Sequence, residues 1–179
     1  MVTRMKTQSS RRMIDLNLVL KVALPLILLL AGGIWYCITH TPEAMIKRQL
    51  GALSEIVSKH QGEGNASTAY KLLAFENMLD ENVECDLRDF PYNGGNTGNA
   101  LASLVFRGRS MLDDVNLSLV DAECEFVSKD EARARCAGHV RLRHGGSVYS
   151  ESRNCVVLFR KNGKSWRITG FKDDQLLKK

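Results

Sequence analysis

Phe159-Arg160-Lys161-Asn162-Gly163-Lys164-Ser165-Trp166-Arg167-Ile168-Thr169-Gly170-Phe171 is the stretch on which the fold turns. Asn and Gly tolerate the positive φ of a tight hairpin turn, so Asn162-Gly163 between apolar alternations reads as two antiparallel strands joined by a short loop. Folding about that turn sets Phe159 opposite Trp166 and Val157 opposite Ile168. Upstream, Arg143-His144-Gly145-Gly146-Ser147 is a second hairpin signal, and folding about Gly145-Gly146 sets Cys136 opposite Cys155. A polar turn centred on Asp130 then sets Cys124 opposite Cys136 and Arg135 opposite Glu125. Alternation assigns Ala122, Cys124, Phe126, Cys136, Val140, Leu142, Cys155, Val157, Phe159, Trp166 and Ile168 to one face, the core side. Val115, Leu117 and Leu119 have the opposite parity, which predicts a bulge or sharp bend near Leu119-Val120.

The chain before these strands reads as helices. Thr41-Pro42-Glu43 combines a capping hydroxyl, a proline suited to the first helical position and an acid in the first turn. Ile46, Leu50, Leu53 and Val57 follow as one apolar stripe that ends before Gly62 and Gly64. A second helix is expected from about Ala66 to Leu79, and Val83, Cys85 and Leu87 then alternate with charged residues at the strand period. After the loop Pro91-Tyr92-Asn93-Gly94-Gly95-Asn96, a third helix is expected from Asn99 to about Leu112. Residues 42–174 are long enough for one core.

Helices followed by a meander of long strands is an α+β order. This order, with the strand, Asn-Gly turn and Trp166-Arg167-Ile168 of the closing hairpin, resembles the nuclear transport factor 2-like superfamily over roughly Pro42 to Asp173. The resemblance implies a cone-shaped domain of about three helices packed on a curved antiparallel sheet. The superfamily includes isomerases and dehydratases with a pocket inside the cone, and many binding or scaffold domains. Its catalytic members place acids, histidines or tyrosines inside the cone. Here no acid or histidine is expected on the inner face, and no catalytic residue is assigned.

One apolar run, Val22 to Ile38, precedes the domain. With Leu18 to Leu20 added, and Lys21 returning its ammonium to the headgroups, it is long enough to span a bilayer as one helix over residues 18–39. Arg4, Lys6, Arg11, Arg12 and Lys21 precede or enter it against the single acid Asp15. Residues 1–17 are therefore expected to be a cytoplasmic tail, with the domain outside the cytoplasm and periplasmic in a bacterium. The exit Ile34-Trp35-Tyr36-Cys37-Ile38 has no small-residue cleavage pattern, so an uncleaved anchor is expected in preference to a signal peptide. Of 25 basic and 20 acidic residues the first 21 positions hold five and one, which leaves the domain nearly neutral. The excess basicity belongs to the topology signal, and nucleic acid is not an expected partner.

Two surfaces are candidates for function. Phe126, Val140, Val157, Phe159, Trp166 and Ile168 could line a pocket for an apolar ligand, or could simply fill a core. The outward row Arg133, Arg135, His139, Arg141 and Arg143 could meet an acidic partner or lipid headgroups, or could be ordinary solvated charge. Tyr70 and Asp80 are the polar groups of the second helix that could point into a cone. His139 has no second ligand at a useful spacing, so neither a metal nor a cofactor is expected. Cys124 and Cys136, as the closer non-hydrogen-bonded pair, are the expected disulfide if one forms, with buried free thiols as the alternative. The sequence thus favours a non-catalytic, single-pass membrane-anchored module that binds a protein partner, a second copy in a homodimer, or a small apolar ligand. The alternative is a pocket enzyme of the isomerase or dehydratase kind.

Overall fold

The computed structural model describes residues 41–88 and 91–174. Three helices, α1 (Pro42–Val57), α2 (Asn65–Met78) and α3 (Gly98–Ser110), pack on a six-stranded sheet. The strands are β1 (Leu79–Asp86), β2 (Gly94–Thr97), β3 (Asp114–Phe126), β4 (Glu131–His144), β5 (Ser147–Asn162) and β6 (Ser165–Asp173). Their spatial order is β2-β1-β6-β5-β4-β3. The class is α+β as the sequence predicts, but the sheet is mixed and not antiparallel, because β1 runs parallel to β6. The helical connection through α3 and the long meander return β6 to the inner edge of β1, a pairing that local alternation cannot reveal. Among the described residues no helix is long and apolar enough to cross a membrane; the apolar run 22–38 lies outside them.

The α1 stripe does what its spacing predicts: Ile46, Leu50 and Leu53 are buried. They meet Phe75 and Met78 of α2, Leu101 of α3 and the inner residues Val157, Phe159, Trp166 and Ile168 of the sheet in one core. The end of the same helix and the two residues after it also seal the edge strand β3. Leu119 N–H donates to Ser54 Oγ at 3.1 Å and Leu117 N–H to Ser58 Oγ at 3.0 Å. Val115 N–H donates to the Lys59 carbonyl at 2.9 Å. Edge amides that would otherwise be open to another strand are satisfied from within the chain.

The register agrees with the sequence at one hairpin and departs from it at two. Across Gly145-Gly146, with φ of 56° and 84°, Cys136 faces Cys155 as expected. The expected irregularity in β3 is present between Val120 and Glu123, where Asp121 has φ 54°. The β3–β4 turn is centred one residue earlier than Asp130, because Val127 and Ser128 N–H both reach the Glu131 carbonyl. That displaces each partner by two residues: Cys124 faces Ala134, and Arg135 faces Glu123. The disulfide expected between Cys124 and Cys136 therefore loses its register, and Cys85, Cys124, Cys136 and Cys155 are all free thiols.

At the closing hairpin the two-residue turn is Gly163-Lys164, with Asn162 paired to Ser165 and Gly163 at φ 62°. A glycine at the first central position suits a turn of the II′ kind, which outcompetes the Asn-Gly alternative here. Phe159 consequently faces Ile168, and a shift beside Leu158 brings Val157 opposite Phe171, not Ile168. Trp166 keeps its inward parity and is buried. Phe126, expected in the core, is 44% exposed and lies tilted against Trp166 at 6.0 Å between ring centroids, because β3 ends there.

Candidate functional site

Phe159, Trp166 and Ile168 fill one end of the space between helices and sheet. Towards the other end the space opens into a cavity of about 620 Å³. Leu53 and Val57 of α1, Phe75 of α2, and Leu101 and Val105 of α3 form its helical wall. The sheet contributes Cys85, Leu117, Leu119, Gly138, Val140 and Val157. The strands differ in length beside the cavity. β6 stops at Asp173, opposite Cys155, whereas β5 continues for another eight residues back to Ser147 with β4 beside it. The cavity lies between the three helices and this extension, with Cys85, Phe171 and Asp173 of the shorter strands at its border.

Two of the charged groups that line the cavity, Glu151 and Arg153, come from that extension; the other two, Arg88 and Asp173, stand just after β1 and at the end of β6. Val140 faces Glu151, Gly138 faces Arg153, and Cys136 faces Cys155, so Glu151 and Arg153 share the inward parity of Cys155. Both line the cavity. This corrects the expectation that no acid falls on the inner face: running the alternation of Cys155 and Val157 two steps further back reaches Arg153 and Glu151. Arg153 Nε donates to Glu151 Oε1, and its Nη1 donates to the Arg88 carbonyl at 2.8 Å. Arg88 N–H in turn donates to Asp173 Oδ2 at 2.6 Å. The segment after β1 is held further by Asn93, whose side chain accepts from Leu87 N–H at 2.9 Å and donates to the Leu87 carbonyl at 2.8 Å. The result is an apolar chamber with a charged group of both signs at one side.

Thiols form a second feature of the wall. Cys136 and Cys155 Sγ lie 3.5 Å apart. The hydrogen bond shared with Cys136 lowers the Cys155 thiol from its ordinary pKa, against the opposing effects of burial and of Asp173 and Asp174. Cys136 is pushed up by the same bond and by burial. Burial also raises Cys85 and Cys124.

Of the residues expected to line a pocket, Val140 and Val157 do so; Phe159, Trp166 and Ile168 belong to the filled end, and Phe126 lies outside the cavity. Tyr70 is 74% exposed, and neither it nor Asp80 reaches the cavity. The basic row does share one outward face of β4. Arg133, Arg135, His139 and Arg141 are exposed and Arg143 is half-buried. Part of its charge is answered locally, as Arg135 approaches Glu125 at 3.9 Å and Arg143 approaches Asp114 at 3.9 Å, and His139 Nδ1 bonds Ser152 Oγ at 2.7 Å. No group of three or more His, Cys, Asp or Glu side chains among the described residues is placed to hold a metal ion.

Three helices packed on a six-stranded sheet is a fold similar to that of a set of solved structures. An NTF2-like protein with a cystatin-like fold from Novosphingobium aromaticivorans has 18% identity over 90% of each chain, with a TM-score of 0.51. The fold is nuclear transport factor 2-like. A candidate scytalone dehydratase from the same organism is similar at 13% identity over 73% of this chain and 80% of its own, TM-score 0.55. LinA is similar at 11% identity over 73% and 82%, TM-score 0.58. No family model and no curated protein matches the sequence. Identities this low establish the nuclear transport factor 2-like fold and carry no activity with them.

Proposed function

We propose that this nuclear transport factor 2-like domain is a binding module for a small, largely apolar molecule, held at the membrane by the helix expected over residues 18–39. The observation that carries the reading is the cavity: about 620 Å³, walled largely by aliphatic and aromatic side chains, with Glu151, Arg153, Arg88 and Asp173 as the charged residues of its lining. A chamber of this size and composition suits a ligand with an apolar body and one polar end, since a few placed polar groups orient what the apolar wall holds. Ion pairing of Arg135 with Glu125 and of Arg143 with Asp114 offsets part of the charge of the Arg133–Arg143 row and makes that surface the weaker candidate for partner binding. The apolar run 22–38 and its basic flank support the tether.

The test is displacement of an anilinonaphthalene sulfonate probe from a fragment of residues 42–174 by decanol and decanoate. Competable binding in the wild type, lost when Val140→Trp fills the chamber, is the expected result. Equal probe binding by wild type and Val140→Trp, with both folded, removes the reading. The isomerase or dehydratase alternative is supported by two carboxylates on the wall, Glu151, which accepts from Arg153, and Asp173, which accepts from Arg88 N–H. A base must be able to take a proton, and a carboxylate already accepting from a guanidinium is poorly placed for it. Turnover of a carbonyl-containing ligand that disappears in Glu151→Gln while binding persists would replace the binding reading with the enzymatic one.

A further inference from the structure

We propose that Cys136 and Cys155 form a dithiol–disulfide site in the cavity wall, and that the class of molecule reacting there is a small disulfide such as oxidised glutathione. The inference is independent of which apolar ligand the chamber takes. It rests first on register. The two residues face each other across β4 and β5 with their sulfurs 3.5 Å apart. In a hydrogen-bonded antiparallel pair the Cα atoms lie about 5.5 Å apart, inside the range that a disulfide accepts, and closing the bond takes side-chain rotation with a slight approach of the two strands, since this is the wider kind of pair.

Access separates the roles of the two sulfurs. Cys155 is half-buried and lines the cavity, whereas Cys136 behind it is 4% exposed. Gly138 keeps the approach clear, since a Cβ at that position would stand 3.7 Å from Cys155 Sγ. Of the two sulfurs only that of Cys155 belongs to a residue lining the cavity, while burial works against the thiolate at Cys85 and Cys124. The thiolate is the nucleophile in exchange, so Cys155 attacks first.

The step balances as follows. Cys155 Sγ, having lost its proton, forms a bond to one sulfur of the small disulfide; the disulfide bond breaks, and one thiolate leaves with the electron pair. Cys136 then gives up its proton, and its sulfur attacks Cys155 Sγ in the mixed disulfide, expelling the second thiolate. The two protons from the protein end on the two departing thiols. Two protein thiols have lost two electrons in all, and one small disulfide has become two thiols.

The experiment treats the full-length chain with oxidised glutathione and locates the modified cysteines by peptide mass spectrometry, in wild type, Cys136→Ser, Cys136→Ala and Cys155→Ser. The expected wild-type product is a Cys136–Cys155 link carrying no glutathione. Both Cys136 variants should stop at glutathione attached to Cys155, and Cys155→Ser should react at position 136 slower by on the order of tenfold or more. Either Cys136 variant suffices if the other fails to fold. A Cys124–Cys136 link, preferential labelling of Cys85 or Cys124, or a wild type whose Cys136 and Cys155 both stay reduced while the reagent is consumed elsewhere or not at all would overturn the proposal.

Discussion

Glu63 lies in the connection between α1 and α2, and its carboxylate accepts from Arg109 Nη2 at 2.7 Å and from Lys71 Nζ at 3.1 Å. Arg109 is 4% exposed and also donates to the carbonyls of Val57 and Ser58 at 3.1 and 2.8 Å. Those carbonyls belong to the last turn of α1 and the residue beyond it, where no intrahelical donor is available. The guanidinium carbon lies 5.1 Å from the centre of the Phe106 ring. Burial alone would raise the Glu63 carboxyl, but the hydrogen bonds from Arg109 and Lys71 outweigh it and hold the pKa at about 2, below the ordinary 4.5. A depressed acid contributes stability that is complete above its unfolded pKa and is lost as pH falls through its folded one. Thermal midpoints should therefore fall as pH drops from about 4.5 towards 2, by less in Glu63→Gln than in wild type. At neutral pH that variant should lose about 3 kcal/mol in chemical denaturation, because it leaves a buried guanidinium unpaired. Nothing in the sequence marks this pair, since 46 residues separate the partners and each looks like a surface charge.

At the cavity the corresponding residue is Arg153. It is exposed enough that Arg153→Met should change stability by no more than about 0.5 kcal/mol, while altering which polar end the chamber prefers. Comparison of decanoate and decanol affinities in the two proteins checks this, and an unchanged ratio would separate Arg153 from ligand recognition. Arg153 and Glu151 were legible in principle, because their parity follows from that of Cys155. What hid them is that alternation is usually read where apolar residues announce a core, and this part of β5 is polar on both faces.

For the elements, close approach is decided at two glycines. A Cβ on Gly170 would stand 2.8 Å from the Glu84 carbonyl oxygen and 3.2 Å from Leu158 Cδ1, at the parallel contact of β1 with β6. One on Gly98, the first residue of α3, would stand 2.5 Å from the Asp80 carbonyl oxygen. The obstacle at both is backbone, which cannot turn aside as a long side chain can. Gly170→Ala and Gly98→Ala should each cost about 2 kcal/mol in urea denaturation, whereas Gly51→Ala, with open space around its Cβ in the middle of α1, should be neutral or stabilising. Helix and strand positions were largely legible from periodicity. The partners across two of the three hairpins were not, because moving a turn centre by one residue preserves the alternation and moves every partner by two.

For the whole molecule, the cavity lies where the β4–β5 hairpin continues past the end of β6, with the three helices as its opposite wall. The tether proposed over residues 18–39 makes a separate prediction, that the full-length chain stays with the membrane fraction after an alkaline carbonate wash and is released by detergent. Recovery in the wash would remove the anchor and leave the cavity argument intact.

By itself the sequence determined the α+β class, the helices, the long strands, the irregularity in β3 and the facing of Cys136 and Cys155, because each depends on periodicity or on a turn residue that must tolerate positive φ. Only the tertiary structure decided that β1 joins β6 in parallel, that Cys124 meets Ala134, and that the cone is filled at one end and open at the other. Those outcomes depend on where strands stop relative to one another and on pairings between distant segments, and short-range alternation contains neither.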